Sequence, residues 1–253
     1  MRKLEGKVAI ITGSGNGCGK AYAKVFAREG ASVTVTCRTA SQGEQVVKEI
    51  IEEGGKAIYV KGDVCNREDI KKVVSETVKA FGKIDILVNN AQVEGVENQQ
   101  IELIKEEDID IVWRSGYMAT LFFMQECFPY LKETKGNIIN TGSGSATQGL
   151  TDKAIYAPVK EAIRNLTYIT AKAWGQYGIT ANTIMPAIAT EMYKRWAAEF
   201  PEQAQHFVNT SALRKMGDGE KDLAPIVVFL ASDDSKYFTG QTVNADGGVC
   251  FVR

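Results

Sequence analysis

One run of residues near the start of the chain decides the fold: Thr12-Gly13-Ser14-Gly15-Asn16-Gly17-Cys18-Gly19-Lys20. It follows the apolar run Val8 to Thr12, which predicts a buried strand, and it precedes a stretch with helical periodicity. Because glycine has no side chain, the backbone N–H groups of such a turn and the following helix can approach a pyrophosphate closely. The glycines at positions 13, 17 and 19 fit the spacing GxxxGxG, but neither GxGxxG nor the P-loop spacing. The turn therefore predicts a dinucleotide site, with a glycine turn that holds no ligand as the alternative.

The rest of the chain repeats this alternation of short β-branched runs and longer amphipathic stretches. Predicted helices at 18–29, 41–53 and 66–81 are each followed by a glycine, the residue that favours the left-handed conformation at a helix end. Strands that alternate with helices form a parallel sheet covered on both faces, so we predict an α/β, doubly wound fold in three layers, α/β/α. The predicted strands are Val8–Thr12, Ser32–Thr36, Ala57–Val60, Ile84–Asn89, Asn137–Thr141, Ile179–Ile184 and Thr242–Asn244.

The composition is typical of a globular protein and excludes several other classes. The chain has 253 residues, of which 44% are apolar and 24% charged, and 30 basic side chains nearly balance 31 acidic ones. Disorder needs fewer apolar residues and nucleic-acid binding favours a basic excess, so both are disfavoured. No window reaches the roughly 18 apolar residues of a membrane span. Because the sequence shows no linker or internal repeat, residues 1–253 are predicted to form a single domain.

The numbers of cysteine and histidine residues indicate in which cellular compartment the protein is found and which kinds of catalysis are excluded. The five cysteines are odd in number and form no CxxC pair, and the N-terminus lacks the apolar region and cleavage site of a signal peptide. Both observations predict a cytoplasmic protein with free thiols. His206 is the only histidine, so a histidine-rich metal site is excluded and no metal is expected. A Ser-His-Asp hydrolase would depend on that one residue.

The ends of the second, third and fourth strands provide further candidates for the dinucleotide site. A dinucleotide fold usually has an acid about 20 residues after the glycines, but this chain has Cys37-Arg38-Thr39 there. A guanidinium binds a 2′-phosphate and a carboxylate repels it, so we expect NADP, with NAD, or a merely solvated arginine, as the alternative. Asp63, which precedes Val64, either accepts a hydrogen bond from adenine or caps the next helix. Asn89-Asn90-Ala91 either contacts the ligand or forms a turn.

A tyrosine and a lysine follow the fifth strand in Tyr156-Ala157-Pro158-Val159-Lys160, a spacing that places both on one helix face. Since proline is tolerated in a first turn, the helix is predicted to start near 154–156, with Tyr156 at the positive end of its dipole. The helix end and Lys160 would both stabilise phenolate and bring Tyr156 into the range of general acid-base catalysis. Ser143, 13 residues earlier, would donate to or orient the substrate oxygen. By itself this spacing is common and usually marks a solvated helix face.

Together, these motifs resemble those of the short-chain dehydrogenase/reductase family: Thr12-Gly13-xxx-Gly17-x-Gly19, Asn89-Asn90-Ala91, Ser143 and Tyr156-xxx-Lys160. The resemblance covers essentially the whole chain and implies a Rossmann-like domain with a nicotinamide cofactor. It implies that Tyr156 exchanges the proton, that Lys160 binds the nicotinamide ribose, and that Ser143 positions the carbonyl. Thr190 would contact the carboxamide. The resemblance also implies a homodimer or homotetramer, formed through helices near 122–130 and 163–177.

The predicted contacts fall into two sets, in addition to the catalytic residues Ser143, Tyr156 and Lys160. The cofactor set is Gly13, Ser14, Asn16, Gly17, Cys18, Arg38, Thr39, Asp63, Val64, Asn90, Ala91, Tyr156, Lys160, Pro186, Ile188 and Thr190. The substrate set is Gln92, Ser143, Ser145, Tyr156, Met192 and Trp196.

Three departures from the family pattern lie near the predicted nicotinamide pocket. Gly116 takes the place of the family's catalytic asparagine. Its backbone carbonyl is still available, but turnover will be slow if the reaction needs the side chain. Gln92 replaces the glycine after Asn-Asn-Ala and is either a substrate contact or a polar loop residue. Ala187 replaces the glycine of Pro-Gly, and the step from Pro186 to Thr190 is one residue short.

These observations predict hydride transfer between NADP(H) and a secondary alcohol or ketone, with ketone reduction as the favoured direction. Segments 92–101, 144–155 and 186–219 would enclose the substrate. The last of them, a predicted irregular lid of about 34 residues rich in aromatic side chains and methionine, favours a medium or large apolar ketone. The alternative function is a dinucleotide-responsive binding or regulatory protein with little catalysis. No nucleic-acid or membrane partner is expected.

Overall fold

A seven-stranded sheet forms the centre of the protein in a computed structural model that describes residues 2–93 and 100–251. Every neighbouring pair of strands is parallel, and the order across the sheet is β3-β2-β1-β4-β5-β6-β7. The predicted α/β fold is therefore confirmed. The strands are β1 (Val8–Thr12), β2 (Ser32–Cys37), β3 (Lys56–Lys61), β4 (Ile86–Asn89), β5 (Asn137–Thr141), β6 (Thr180–Pro186) and β7 (Thr242–Ala245).

The strand order creates the crevice in which ligands of this fold bind. From β1 the strands are added first toward one edge of the sheet, as β2 and β3, and then toward the other edge, beginning with β4. The loops that follow β1 and β4 therefore diverge at the carboxyl ends of these strands. The glycine turn after β1 and the asparagines after β4 both lie at this point. The topology thus brings together two motifs that are about 75 residues apart in sequence.

Helices cover both faces of the sheet. The predicted helix ends are confirmed, because the glycines that follow the first three helices all have left-handed φ angles of 94° at Gly30, 81° at Gly54 and 80° at Gly82. The helices among the described residues are α1 (Gly17–Arg28), α2 (Ala40–Glu52), α3 (Arg67–Phe81), α4 (Glu106–Trp113), α5 (Ala119–Thr134), α6 (Tyr156–Trp174), α7 (Glu191–Glu199), α8 (Pro201–Thr210) and α9 (Ala224–Ala231).

Two apolar layers hold the helices against the sheet. On one face, Tyr22 and Phe26 of α1 pack with β1, β2 and α9, and on the other, Phe123 and Leu131 of α5 pack with α3 and α6. All four side chains are almost completely buried. Burial of a side chain of this size contributes about 1.5–3 kcal/mol each, so these contacts fix the helix positions from which the site is built.

The segment 186–219 differs from its prediction. Instead of an irregular lid it contains two helices, α7 and α8. Pro201 does not break a helix; it is the first residue of α8, where a missing N–H costs nothing. Thr190 caps α7 by accepting a hydrogen bond from the Tyr193 amide. The sequence prediction failed because it interpreted the central proline as a loop signal and not as a helix start.

Candidate active site

The glycine turn has the conformation that a closely approaching ligand requires. Gly13 and Gly17 have left-handed φ angles of 64° and 52°, and α1 begins at Gly17. A Cβ atom on Gly19 would lie 2.4 Å from the Gly13 carbonyl oxygen, which excludes any side chain there. Apart from its chain neighbours and its own helix backbone, a Cβ built on Gly17 would meet only Thr190 among the described residues, at 3.7 Å. The turn is therefore a cradle without side chains at a helix N-terminus, and it fits a pyrophosphate.

Ser14 has a different role from the one that the sequence predicts. It is fully buried, its hydroxyl donates to the Ile11 carbonyl at 2.6 Å and accepts from the Thr36 amide at 3.0 Å. Its backbone N–H also bonds within the protein, to Thr36. Because these groups are used internally, Ser14 joins β1 to β2 and is not placed to contact a cofactor. Asn16, in contrast, is exposed beside the turn.

Asn90 ties the glycine turn to β4. Its side-chain amide donates to the carbonyls of Thr12 and Gly13 at 3.0 and 3.3 Å. The backbone N–H groups of Asn90 and Ala91 both donate to the Thr12 hydroxyl, at 2.9 and 3.0 Å. Sequence analysis did not assign a role to Thr12, although its position directly before the first glycine was a usable signal. These bonds give Asn90 a structural role: it holds the turn in place.

Arg38 and Thr39 lie exposed after β2, next to the turn between β3 and α3. Burial raises the pKa of the Cys65 thiol to about 11, with Asp63 adding to the increase, and the guanidinium groups of Arg38 and Arg114 oppose it. The loop that carries Arg38 lies beside residues 62–65, since the Gly62 amide donates to the Cys37 carbonyl at 3.4 Å. The adenosine half of a dinucleotide would lie at this edge of the sheet. Asp63 accepts from the Cys65 amide at 2.9 Å and does not cap α3, which is capped by Asn66.

Ser143, Tyr156 and Lys160 meet at the carboxyl edge of β5. Tyr156 is the first residue of α6, as predicted, and Lys160 lies one turn later, with its ammonium nitrogen 5.5 Å from the centre of the tyrosine ring. The same nitrogen donates to the Thr141 carbonyl at 2.9 Å. Ser143 follows β5 and its hydroxyl lies 2.7 Å from that of Ser145. The structure therefore brings these three predicted residues to one place.

Burial changes the pKa of the Lys160 ammonium. Lys160 is 2% exposed, and burial lowers the pKa of its ammonium from 10.5 to about 8. A buried ammonium with few protein partners stabilises a negative charge nearby more strongly than one in water does. Tyr156, at the positive end of α6, is the side chain that benefits from this arrangement. The pair can therefore hold and move a proton at the phenol oxygen.

The segment after β6 closes over the glycine turn. Ile188 is buried and forms a parallel bridge with Gly217, and Thr190 comes close to Gly17. Pro186 ends β6. The segment therefore lies next to the start of α1, at the edge of the crevice. The Thr190 hydroxyl already accepts the capping bond from the Tyr193 amide, so any contact with a carboxamide would be shared with that cap.

Gln92 does not point toward the crevice. Its amide nitrogen donates to the Val112 carbonyl and to the Ser115 hydroxyl, at 3.0 Å each, and its amide oxygen is buried. Both amide hydrogens are therefore used within the protein, so a substrate contact from this side chain stays a prediction and would have to replace one of these bonds. Ser115, which sequence analysis did not single out, completes the contact. Residues 94–99 of the predicted loop lie outside the described residues.

Met192 and Trp196 lie on α7, the helix that Thr190 caps. Met192 is 46% exposed, whereas the Trp196 ring packs between those of Tyr193 and Phe200, with centroids 5.8 and 6.4 Å apart. Both therefore belong to an apolar surface formed by α7 and α8. A role in substrate binding stays a prediction for these two residues.

Comparison with known proteins places the chain in a family. A family model described as enoyl-(acyl carrier protein) reductase matches residues 13–250. A 12α-hydroxysteroid dehydrogenase from Clostridium sp. is 34% identical over 257 residues, which cover 98% of each chain. The 3-oxoacyl-[acyl-carrier-protein] reductase FabG of Thermotoga maritima is 34% identical, covering 98% of this chain and 99% of its own.

Solved structures agree with these sequence matches. A candidate gluconate dehydrogenase from Agrobacterium tumefaciens superposes with a TM-score of 0.92 at 28% identity, covering 99% of this chain and 98% of its own. With the sheet order and the Tyr156–Lys160 pair, these matches show that the chain belongs to the short-chain dehydrogenase/reductase family of oxidoreductases, whose members use nicotinamide dinucleotides. Among the described residues no helix is long and apolar enough to cross a membrane.

Proposed function

We propose that the protein reduces a medium or large apolar ketone with NADPH, and catalyses the reverse reaction on the alcohol. The single observation that carries the proposal is the placement of Tyr156 and Lys160 on one turn of α6, beside Ser143 and across the crevice from the glycine turn. The nicotinamide cofactor supplies the hydride when bound. Protein groups supply binding, orientation and the proton.

The proposed roles follow from the positions of the groups. Ser143 donates a hydrogen bond to the substrate oxygen, and Tyr156 transfers its phenolic proton to that oxygen as negative charge develops there. Lys160, held by the Thr141 carbonyl, stabilises the phenolate that remains. The same groups, acting in the opposite order, remove the proton from an alcohol.

Arg38 supports the choice of NADPH. It is exposed at the end of β2, where this fold often has a carboxylate for the ribose hydroxyls of NAD. A forked guanidinium matches the oxygens of a 2′-phosphate, which a carboxylate would repel. We infer that the enzyme prefers NADP(H) to NAD(H).

The apolar surface of α7 and α8, together with the hydroxysteroid dehydrogenase relative, supports a steroid ketone as the first substrate to test. Purified protein is incubated with NADPH or NADH and with oxo-steroids, aryl ketones and a 3-oxoacyl thioester, and cofactor absorbance is followed. Steady NADPH oxidation with a bulky ketone is the expected result. Tight NADPH binding without turnover on any ketone would instead favour the binding-protein function, for which Gly116 is the supporting feature.

We further propose an oligomer and a cytoplasmic location. Ile163, Leu166 and Thr170 of α6 are buried within the protomer, Ile163 beside Val112 of α4 and Leu166 in the apolar layer of α3 and α5, so these three residues are not available to a second copy. Ile169 on α6 and Phe229 on α9 are instead 57% and 40% exposed and are available for contact with a second copy. Sedimentation at several concentrations tests for the expected dimer or tetramer. None of the five cysteines, all of which lie among the described residues, forms a disulfide, which supports a reducing compartment.

A further inference from the structure

A turn of π-helix, in which Ser115 and Gly116 are buried, joins α4 to α5 and contacts the catalytic helix. It spans Arg114–Met118, and the Ala119 amide donates to the Arg114 carbonyl, five residues earlier. π-helical turns are rare and frequently occur at functional sites. Gly116 lies in the middle of this turn and is buried. The backbone of the turn is therefore irregular at a residue that has no side chain of its own to pack against α6.

A side chain at position 116 would collide with two neighbouring side chains unless they shift. A Cβ atom built there would lie 2.5 Å from the Gln92 amide oxygen and 2.5 Å from a methyl carbon of Val159. Val159 is completely buried in α6 and directly precedes Lys160. Gly116 is therefore the point at which the π-helical turn touches the catalytic helix, and Gln92 fills the remaining space.

Gln92 reaches this point from the loop after β4 and is held on three sides. Its amide nitrogen bonds to the Val112 carbonyl and the Ser115 hydroxyl, and the same hydroxyl donates to the Ile111 carbonyl at 2.7 Å. Its amide oxygen is buried, has no hydrogen-bond partner among the described residues, and faces Gly116 and the start of α6. A buried acceptor without a donor is unfavourable, so packing alone does not explain a glutamine here.

We propose that Gln92 is a positioning residue for Lys160, acting through the close contact of the π-helical turn with α6 at Gly116. Gln92 and Gly116 form an interdependent pair: the glutamine needs a glycine opposite it, and the glycine needs the glutamine to fill its space. The pair sets the distance between the turn and α6, and with it the place of the lysine ammonium.

The inference rests on the proposed function, and exchange of the amide between the two positions tests it. The variants are Gln92→Gly, Gly116→Asn and the double variant, with kcat, the KM for NADPH and the Tm measured for each. Gln92→Gly is expected to lower kcat about tenfold, since small displacements of a catalytic group are costly, and to leave the KM for NADPH unchanged. Gly116→Asn is expected to lower both kcat and Tm.

The double variant carries the decisive comparison, because the asparagine then occupies the space that the glutamine left. Recovery of kcat to within about threefold of wild type, with a Tm above that of Gly116→Asn, is expected for an interdependent pair. Effects that simply multiply, or an unchanged kcat in Gln92→Gly, would overturn the proposal. If Gly116→Asn does not fold, Gly116→Ala takes its place in the cycle.

Gln176→Gly is the matched control. This exposed glutamine also donates to a helical carbonyl, that of Ala173 at 2.9 Å, but lies at the far end of α6. Its loss is expected to leave kcat unchanged. If the wild-type protein shows no turnover with any ketone, the proposed function fails by itself. The Tm values of the same variants then decide the inference: additive changes overturn the pairing, and non-additive changes support it.

Discussion

The two sides of the crevice use their polar side chains in opposite ways. On the side of the glycine turn, Ser14 and Asn90 bond to the protein's own backbone, so the surface offered to a ligand is glycine backbone and a helix start. On the side of β5 and α6, Tyr156 and Lys160 provide the chemistry with their own groups. Substitutions on the first side should therefore change binding or stability, and substitutions on the second should change turnover.

The largest effect expected from this contrast is that of Tyr156→Phe. Without the phenolic proton, kcat should fall about 10³-fold, within the usual range for a general acid, while the affinity for NADPH stays within about twofold because the glycine turn is unaltered. Cofactor oxidation and fluorescence titration measure the two quantities. Full activity in this variant would show that another group donates the proton.

On the other side of the crevice, Gly19→Ala should abolish tight binding. The new methyl group would lie 2.4 Å from the Gly13 carbonyl oxygen and must displace the turn. The Kd for NADPH is expected to rise about 100-fold, equivalent to about 2.7 kcal/mol. Gly175→Ala is the control, since a Cβ there meets no atom of the other described residues within 4 Å beyond its chain neighbours, and its φ of −56° suits any residue. Equal affinities in the two variants would contradict the backbone cradle.

Arg38→Ala sharpens the contrast, because it removes a cofactor-side group that is proposed to act through the charge of its side chain. A hydrogen bond to a charged partner contributes about 1.5–3 kcal/mol, so the preference for NADPH over NADH should fall about 10- to 100-fold. The ratio of kcat/KM for the two cofactors measures it, with the exposed Arg2→Ala as control. An unchanged ratio would show that Arg38 is only a solvated surface residue.

Lys160→Met should separate activity from stability. The folded lysine stays charged up to pH about 8 and the unfolded one up to 10.5, so at pH 7 the wild type carries the full cost of a buried ammonium. Removing it should raise the free energy of unfolding by about 1–3 kcal/mol, although activity is lost. Between pH 8 and 10.5 the unfolded chain binds more protons, so wild-type stability rises with pH and the difference shrinks. Denaturation at pH 7 and 9.5 tests both statements; a difference that grows with pH would contradict them.

The smallest effects compare two neighbours in the glycine turn. Ser14→Ala leaves the buried Thr36 amide without an acceptor and should lower the free energy of unfolding by about 1–3 kcal/mol. Asn16→Ala removes an exposed side chain that caps nothing, and should change stability by no more than about 0.5 kcal/mol. Urea denaturation of both variants makes the comparison. A larger loss in Asn16→Ala would reverse the roles given to these two residues.

The sequence predicted the elements well where a pattern repeats. All seven strands, the glycine helix ends and the start of α6 at Tyr156 follow from periodicity, from glycine chemistry and from the tolerance of proline in a first turn. The α7–α8 hairpin was missed because a proline within a polar segment indicates a break and a helix start equally well.

The nature of the residues thus determined a parallel sheet, a glycine cradle and a tyrosine–lysine pair, because these depend on local backbone preferences and on spacing within one helix. Only the tertiary structure decided which polar side chains face inward. The sequence alone does not distinguish Ser14, Asn90 and Gln92 from ligand-binding residues. In the structure, however, each side chain forms a hydrogen bond with the backbone of a distant strand, turn or helix. Such partners are brought close by the sheet order, and no local pattern in the chain encodes them.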